Sequence, residues 1–314
     1  MYSLVIPVYR NRESLPELVR ELEGLQESLR PQALEVLFVV DGSPDQSHAW
    51  LRANLPASSL RARLILLARN FGSFAAISAG LQVASGEYFA VLAADLQDPP
   101  DIARRFFSEL AQGDIDVVIG TREGRSDPWI TRMTASLFWG LYRRIIEPQI
   151  PPGGVDLFGC NRAFRDALVR LRETNTSLVA LIFWLGFRRR TLPYVRRKRP
   201  YGKSAWTFRR KLKYLSDSVF AFSDLPVRLL FYGGVAGLIL SGLLGLLVVI
   251  GRLTGAIDVE GYSATILVIL FFGALNTFGL GVVGAYAWRA YENTKERPAY
   301  LVLSSEAIGH EEPA

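Results

Sequence analysis

The sequence predicts an α/β domain with a mainly parallel sheet, then an interfacial helix and a two-helix transmembrane hairpin. Three observations carry that expectation. Short apolar runs alternate with helical patterns over residues 1–205. Two long runs near the C-terminus, Leu229 to Gly251 and Ser263 to Trp288, contain no charged residue. A cluster of basic residues precedes the first of these runs.

The elements follow in order. SLVIPVY (3–9) reads as a strand, and a helix follows from about Glu13 to Leu29, stopped by Pro31. EVLFVVD (35–41) reads as a buried strand that ends in the turn DGSPD. RLILLA (63–68) is a third strand, and a Gly- and Ala-rich helix covers Ser73 to Ala84. EYFAVLAAD (87–95) is a fourth strand ending in a carboxylate, with Pro99-Pro100 opening the next helix. DVVIGTR (116–122) is a fifth strand. Strands alternating with helices imply a mainly parallel sheet, which binds ligands beyond the carboxyl ends of its strands. Asp41 and Asp95 stand at two such ends and could face one ligand.

Beyond Trp129 the pattern changes. Residues 130–147 interleave apolar and basic residues as a helix, and 178–187 are apolar but too short to span a membrane. Phe208, Leu212, Leu215, Val219 and Phe222 share one face of a helix over 207–224, with Arg209, Arg210, Lys211 and Lys213 off it. Such a helix suits a membrane interface, and equally an ordinary packed helix. Each apolar run is long enough to cross a hydrocarbon core of about 30 Å. The chain thus divides into a domain at 1–205, an interfacial helix at 206–225, two spans within 226–290 and a tail at 291–314.

Net charge is +6. Arg188, Arg189, Arg190, Arg196, Arg197, Lys198, Arg199 and Lys203 add to the four basic residues of the amphipathic helix. A basic approach to a span marks the cytoplasmic leaflet, so both the domain and the tail are expected in the cytoplasm. The location expected is the cytoplasmic membrane, multi-pass. No secretory signal precedes the first strand. Nucleic acid is disfavoured as a partner, because neither a nucleic-acid motif nor a basic–aromatic repeat occurs. Cys160 is the sole cysteine, which excludes an intrachain disulfide, and His48 and His310 stand far apart, which argues against a zinc site.

Two carboxylates could carry chemistry. Asp41, before Gly42-Ser43, can accept from a nucleobase N–H or simply cap its turn. Asp95, in AADLQDPP, can hold a divalent cation against a diphosphate, with Gln97 and Asp98 near enough to help. Taken in order, VIPVYR, VDGSPD, RNFGSFAAISAGL, LAADLQDPP, GGVDLFGCNRAFRD, RPYGKS and GVVGAYAWRAYENTKERPAYLV resemble the family 2 glycosyltransferases of the GT-A fold. The branch most similar is the polyisoprenyl-phosphate glycosyltransferases, and the resemblance runs over almost the whole chain.

That resemblance implies a membrane-bound, inverting transfer of one sugar from a nucleotide sugar to a polyprenyl phosphate, undecaprenyl or dolichyl, for cell-envelope glycans. It implies that Pro7, Tyr9, Asp41, Arg69 and Asn70 line the sugar-donor site, with Asp41 on the nucleobase. It implies that Asp95 and Gln97 hold Mg²⁺ or Mn²⁺ and the diphosphate. Asp156 would sit by the reacting carbon, and Arg199, Lys203 and Ser204 by phosphate oxygens. A homo-oligomer is left open. Two positions depart from the family pattern: Val40 and Ala93 stand where acids are usual. Ala93 leaves Asp95 with less help on a metal and admits a binding-only homologue as the alternative, alongside transfer to another lipid.

Overall fold

The apolar runs of the first half build one eight-stranded sheet. Its strands are β1 (Tyr2–Val8), β2 (Leu34–Val40), β3 (Arg61–Leu67), β4 (Tyr88–Val91), β5 (Val117–Arg122), β6 (Leu157–Asn161), β7 (Arg189–Tyr194) and β8 (Val302–Ile308). The helices between them are α1 (Leu15–Ser28), α2 (Ser47–Asn54), α3 (Ser73–Val83), α4 (Asp101–Leu110), α5 (Arg162–Arg170) and α6 (Leu178–Trp184). This computed structural model describes residues 1–122, 140, 142–144, 147–151, 155, 157–171, 177–201, 208–255 and 261–308. It divides into one unit of Met1–Leu212 with Arg297–Ala314, and a second of Lys213–Glu296.

The strand order is β7-β5-β6-β4-β1-β2-β3-β8. The centre, β4-β1-β2-β3, is parallel throughout. β2 is buried at every position, as expected of a central strand covered on both faces. Its one charge, Glu35, accepts hydrogen bonds from Ser3 Oγ (2.9 Å), Ser85 N (3.0 Å) and Ser85 Oγ (2.9 Å), which offset the cost of burying it. On α1, Leu15, Leu18, Leu22 and Leu25 recur at helical spacing and all are buried. Each such leucine contributes about 1.5–3 kcal/mol by leaving water. Leu22→Ala would open a cavity under the sheet.

The sheet is more mixed than alternation alone suggests. β6 pairs antiparallel with both β4 and β5, and β8 pairs antiparallel with β3. β8 comes from the region expected to be a tail. Its pattern alternates between exposed and half-buried residues, which fits an edge strand with one face to solvent. It covers the free edge of β3, and Glu306 pairs with Arg52 at 3.3 Å. β4 ends at Val91, earlier than expected, and the chain reaches Asp95 through a turn in which Leu96 adopts a left-handed backbone (φ 59°). The apolar stretch at 178–187 becomes α6, with Leu178 through Phe183 buried in the domain. The helix expected over 130–147 lies mostly outside the described residues.

The second unit is helical. α7 (Phe208–Phe222) leads into it, followed by α8 (Leu225–Leu253) and α9 (Tyr262–Thr294). Two helical stretches, Leu225–Gly251 and Phe271–Thr294, are long and apolar enough to cross a membrane. Their large side chains face outward: Phe231, Leu247 and Leu280 are all exposed. The helices run antiparallel, since Leu230 lies by Gly279 and Gly237, one heptad later, lies by Phe272, one heptad earlier. A Cβ at Gly237 would stand 3.1 Å from the Phe272 ring, so this glycine sets the close approach. At the hairpin's open end Arg289 donates to Asp217 at 2.9 Å and lies over the Phe220 ring.

Candidate functional site

The carboxyl ends of β4, β1 and β2 are adjacent, with Val91 beside Val5 and Val8 beside Val40. Segments that follow these strands and β3 therefore gather at one edge of the sheet, where an open α/β sheet binds ligands. Pro7 lies within β1 near its end, and Tyr9 follows it. The neighbouring turn is tightly tied. Arg10 has a left-handed backbone (φ 57°), and its N–H donates to Ser43 Oγ at 2.7 Å. Such a conformation costs a bulky residue about 1–3 kcal/mol and collects at functional sites. Asp45 accepts from Ser43 Oγ (2.6 Å), Ser47 Oγ (2.7 Å) and the Arg12 N–H (3.0 Å). Burial opposes its charge, but those hydrogen bonds outweigh burial and hold the carboxyl below the ordinary range.

Asp41 is 2 % exposed. Its carboxylate accepts from the Phe71 N–H (2.7 Å), the Gly72 N–H (2.8 Å) and Asn70 Nδ2 (3.0 Å). One carboxylate thus orders the loop that leads into α3 and brings together three of the expected site residues, Asp41, Arg69 and Asn70. Gly42 makes this approach possible. Its φ is +54°, and a Cβ there would stand 2.3 Å from the Arg69 carbonyl carbon. The Arg69 guanidinium rests over the Phe71 ring at 4.2 Å.

The second cluster centres on Asp95, 9 % exposed. The Ser14 hydroxyl anchors the preceding residue by donating to the Ala94 carbonyl at 2.7 Å. Arg199 Nη2 donates to Asp95 Oδ2 at 2.6 Å and to Gln97 Oε1 at 3.1 Å. The strand-like stretch after β7 lies along this turn, since the Arg197 N–H donates to the Gln97 carbonyl at 2.8 Å. Asp98, 1 % exposed, accepts from the Tyr194 hydroxyl at 2.9 Å and pairs with Arg196 Nε at 3.4 Å, both through Oδ1. Among the described residues no group of three or more His, Cys, Asp or Glu converges on a metal position. Asp95 and Gln97 do converge on one cationic nitrogen. That donor set fits Mg²⁺ or Mn²⁺, which need few protein oxygens when phosphates and water complete the shell.

The structure therefore joins Asp95, Gln97 and Arg199, a contact spanning more than a hundred positions that no local pattern reveals. Arg196, read from the sequence only as part of the basic approach to the first span, lies 4.0 Å from Asp95 and is part of the same cluster. Asp156, Lys203 and Ser204 lie outside the described residues. The start of β6, next after Asp156, is at the carboxyl end of β4, because β4 and β6 are antiparallel. The basic approach to the first span is also less open than its composition suggests. Arg188 pairs with Asp116, Arg190 with Glu109 and Asp114, and Arg197 with Glu21. Those charges are paired with acids of the domain at its surface.

The profile of glycosyl transferase family 2 matches residues 3–171. An uncharacterised glycosyltransferase of Synechocystis sp. is 32% identical over 303 residues, covering 96% of this chain and 94% of that protein. The bactoprenol glucosyl transferase of Shigella phage SfX is 31% identical over 303 residues, covering 96% of this chain and 98% of that protein. A prophage bactoprenol glucosyl transferase homologue of Escherichia coli K12 is 29% identical over 301 residues, covering 96% and 97%.

Proposed function

Since the chain belongs to glycosyl transferase family 2, we propose that it moves a single sugar from a nucleoside-diphosphate sugar onto a polyprenyl phosphate at a membrane surface. The observation that carries this reading is the extent of the match. The bactoprenol glucosyl transferases align over 96% of the chain, through the sheet and both long apolar helices. The family generally uses a divalent metal. Asp95 and Gln97 would hold Mg²⁺ or Mn²⁺, which when bound would supply Lewis-acid stabilisation of the departing diphosphate.

The reaction is a displacement at the anomeric carbon, with inversion. A lipid phosphate oxygen forms the new C–O bond, and the bond to the nucleoside diphosphate breaks. The phosphate is already anionic near neutral pH, so no strong general base is required. Asp156 serves to orient the acceptor. Asp41 faces the nucleobase edge of the site, and Pro7, Tyr9, Arg69 and Asn70 line the sugar-donor pocket. Asp41 also holds that pocket's loop, accepting from Asn70, Phe71 and Gly72. Arg199, Lys203 and Ser204 meet phosphate oxygens, where charge-assisted hydrogen bonds are strongest. The two helices cross the cytoplasmic membrane and leave the sheet domain on its cytoplasmic side, next to the lipid head group it modifies.

An acceptor panel tests the reading. Purified protein in detergent is given labelled nucleotide sugars with undecaprenyl phosphate, undecaprenol or diacylglycerol. Label should enter the phosphate lipid alone. Transfer to diacylglycerol in preference to undecaprenyl phosphate would overturn the acceptor assignment.

A further inference from the structure

Asp95 and Gln97 present two oxygens to one cation, and that cation belongs to the chain itself. Arg199 Nη2 sits 2.6 Å from Asp95 Oδ2 and 3.1 Å from Gln97 Oε1. Asp95 Oδ2 and Gln97 Oε1 are thus already engaged by a guanidinium, while Asp95 Oδ1 accepts from the Gln97 N–H at 3.2 Å. Ala93, two residues before Asp95, supplies no second carboxylate that could serve one cation while Asp95 serves the other. Asp98 is committed to Tyr194 and Arg196. A divalent ion bound to the same two oxygens that Arg199 holds would stand beside the guanidinium as a like charge, and the two repel.

We propose that Arg199 and the divalent cation are mutually exclusive occupants of the Asp95–Gln97 cradle, and that Arg199 thereby keeps the cation out until a diphosphate arrives. The proposal rests on the sugar-donor reading of this turn given above. Without nucleotide, a cation entering the cradle must break the Arg199 contacts and leave the guanidinium beside a like charge. With a diphosphate present, Arg199 leaves Asp95 for phosphate oxygens, which match its planar fork of donors. Cation and nucleoside diphosphate then raise each other's affinity, because the coupling is reciprocal. Arg199, besides meeting the diphosphate, sets the order in which cation and nucleotide bind.

Manganese binding to the full chain in detergent micelles, read from the free-ion signal by electron paramagnetic resonance, tests this without turnover. Arg199→Ala should bind Mn²⁺ about fivefold more tightly than wild type when nucleotide is absent, the gain expected from removing a partly buried competing ion pair. Arg199→Lys, which keeps a cation there, should stay near wild type. Arg197→Ala removes an equal charge from the same segment, but its partner is Glu21, at 2.7 Å, so Mn²⁺ affinity should change less than about twofold. Uridine and guanosine diphosphates should bind Arg199→Ala more weakly. Asp95→Ala should abolish Mn²⁺ binding. If Arg199→Ala leaves Mn²⁺ affinity unchanged or lower while Asp95→Ala abolishes it, the competition is wrong and the metal position stands. If Asp95→Ala binds Mn²⁺ like wild type, or no variant binds it, both the competition and the metal reading of Asp95 fall.

Discussion

The Asp41 carboxylate and the Phe71 backbone N–H meet at 2.7 Å, joining the end of one central strand to the loop after its neighbour. The same carboxylate also takes the Gly72 N–H and the Asn70 side chain. It is a buried charge with loop donors arranged around it, so the loop's shape depends on it. Asp41→Ala should lower stability by about 2–3 kcal/mol, the scale of losing hydrogen bonds to a charged acceptor. Nucleoside-diphosphate affinity should fall with it. Thermal unfolding in detergent and calorimetric titration with uridine diphosphate check the two effects. Unchanged stability would mean the loop holds its shape without this carboxylate.

Gly42 is the companion test. Any Cβ there meets the Arg69 backbone at 2.3–2.6 Å, and the residue's φ is already left-handed. Gly42→Ala should therefore destabilise by at least about 2 kcal/mol, with a backbone shift adding to the conformational cost. A variant of wild-type stability and sugar-donor affinity would show that the two loops separate easily.

Asp95→Ala should lower turnover by about a hundredfold or more, on the scale of losing stabilisation of developing charge, while the protein stays folded. The fold tolerates the change because the partners left behind, Arg199 and Arg196, have side chains 27% and 22% exposed and stay in reach of water. Initial rates and thermal midpoints measured on one preparation separate the effects. Turnover near wild type would remove Asp95 from the chemistry.

Much of the fold was legible in the sequence. β1, β2, β3 and β5 lie within a residue or two of their apolar runs, because central parallel strands are buried on both faces and read as continuous hydrophobic stretches. Both long helices were equally plain from their uncharged runs. β6 was not, since LFGCN is short and carries a glycine. β8 was hidden because an edge strand keeps one polar face and so resembles a tail. At the site, the candidate residues were visible, but their partners were not. Asp95 and Arg199 are brought together by the sheet order and the stretch after β7, and no helical or strand period links positions so far apart. The engagement of Arg188, Arg190 and Arg197 by acids was hidden for the same reason.

Asp116 gives a pH test. Its carboxylate accepts from Arg188 Nε (3.0 Å), Nη2 (2.9 Å) and backbone N–H (3.1 Å), and from Asn161 Nδ2 (2.9 Å). The hydrogen bond from Arg188 outweighs burial and holds the carboxyl below the ordinary range. A lowered carboxyl pKa stabilises the fold above the unfolded value of about 3.9, and that contribution fades as pH falls through the folded value. Asp116→Asn should therefore be less stable than wild type near neutral pH, with the gap closing below about pH 4. Thermal midpoints of both proteins across the acid range check the sign. A gap that widens on acidification would contradict it.

Membrane orientation can be read in a Cys160→Ser background. A cysteine at Ala256, between the long helices, should react with an impermeant thiol reagent from outside intact cells. A cysteine at Ser305, on β8, should react only after permeabilisation. Labelling of the Ser305 position from outside would place the sheet domain on the wrong side.

The most direct measurement of the central claim is the mass of the lipid product. Purified protein, undecaprenyl phosphate and a panel of nucleotide sugars should yield one new species, heavier than the acceptor by a single glycosyl residue. The same mixture with Asp95→Ala should yield little or none. No glycosylated lipid phosphate from any donor, or a product that accumulates equally with Asp95→Ala, would contradict the account.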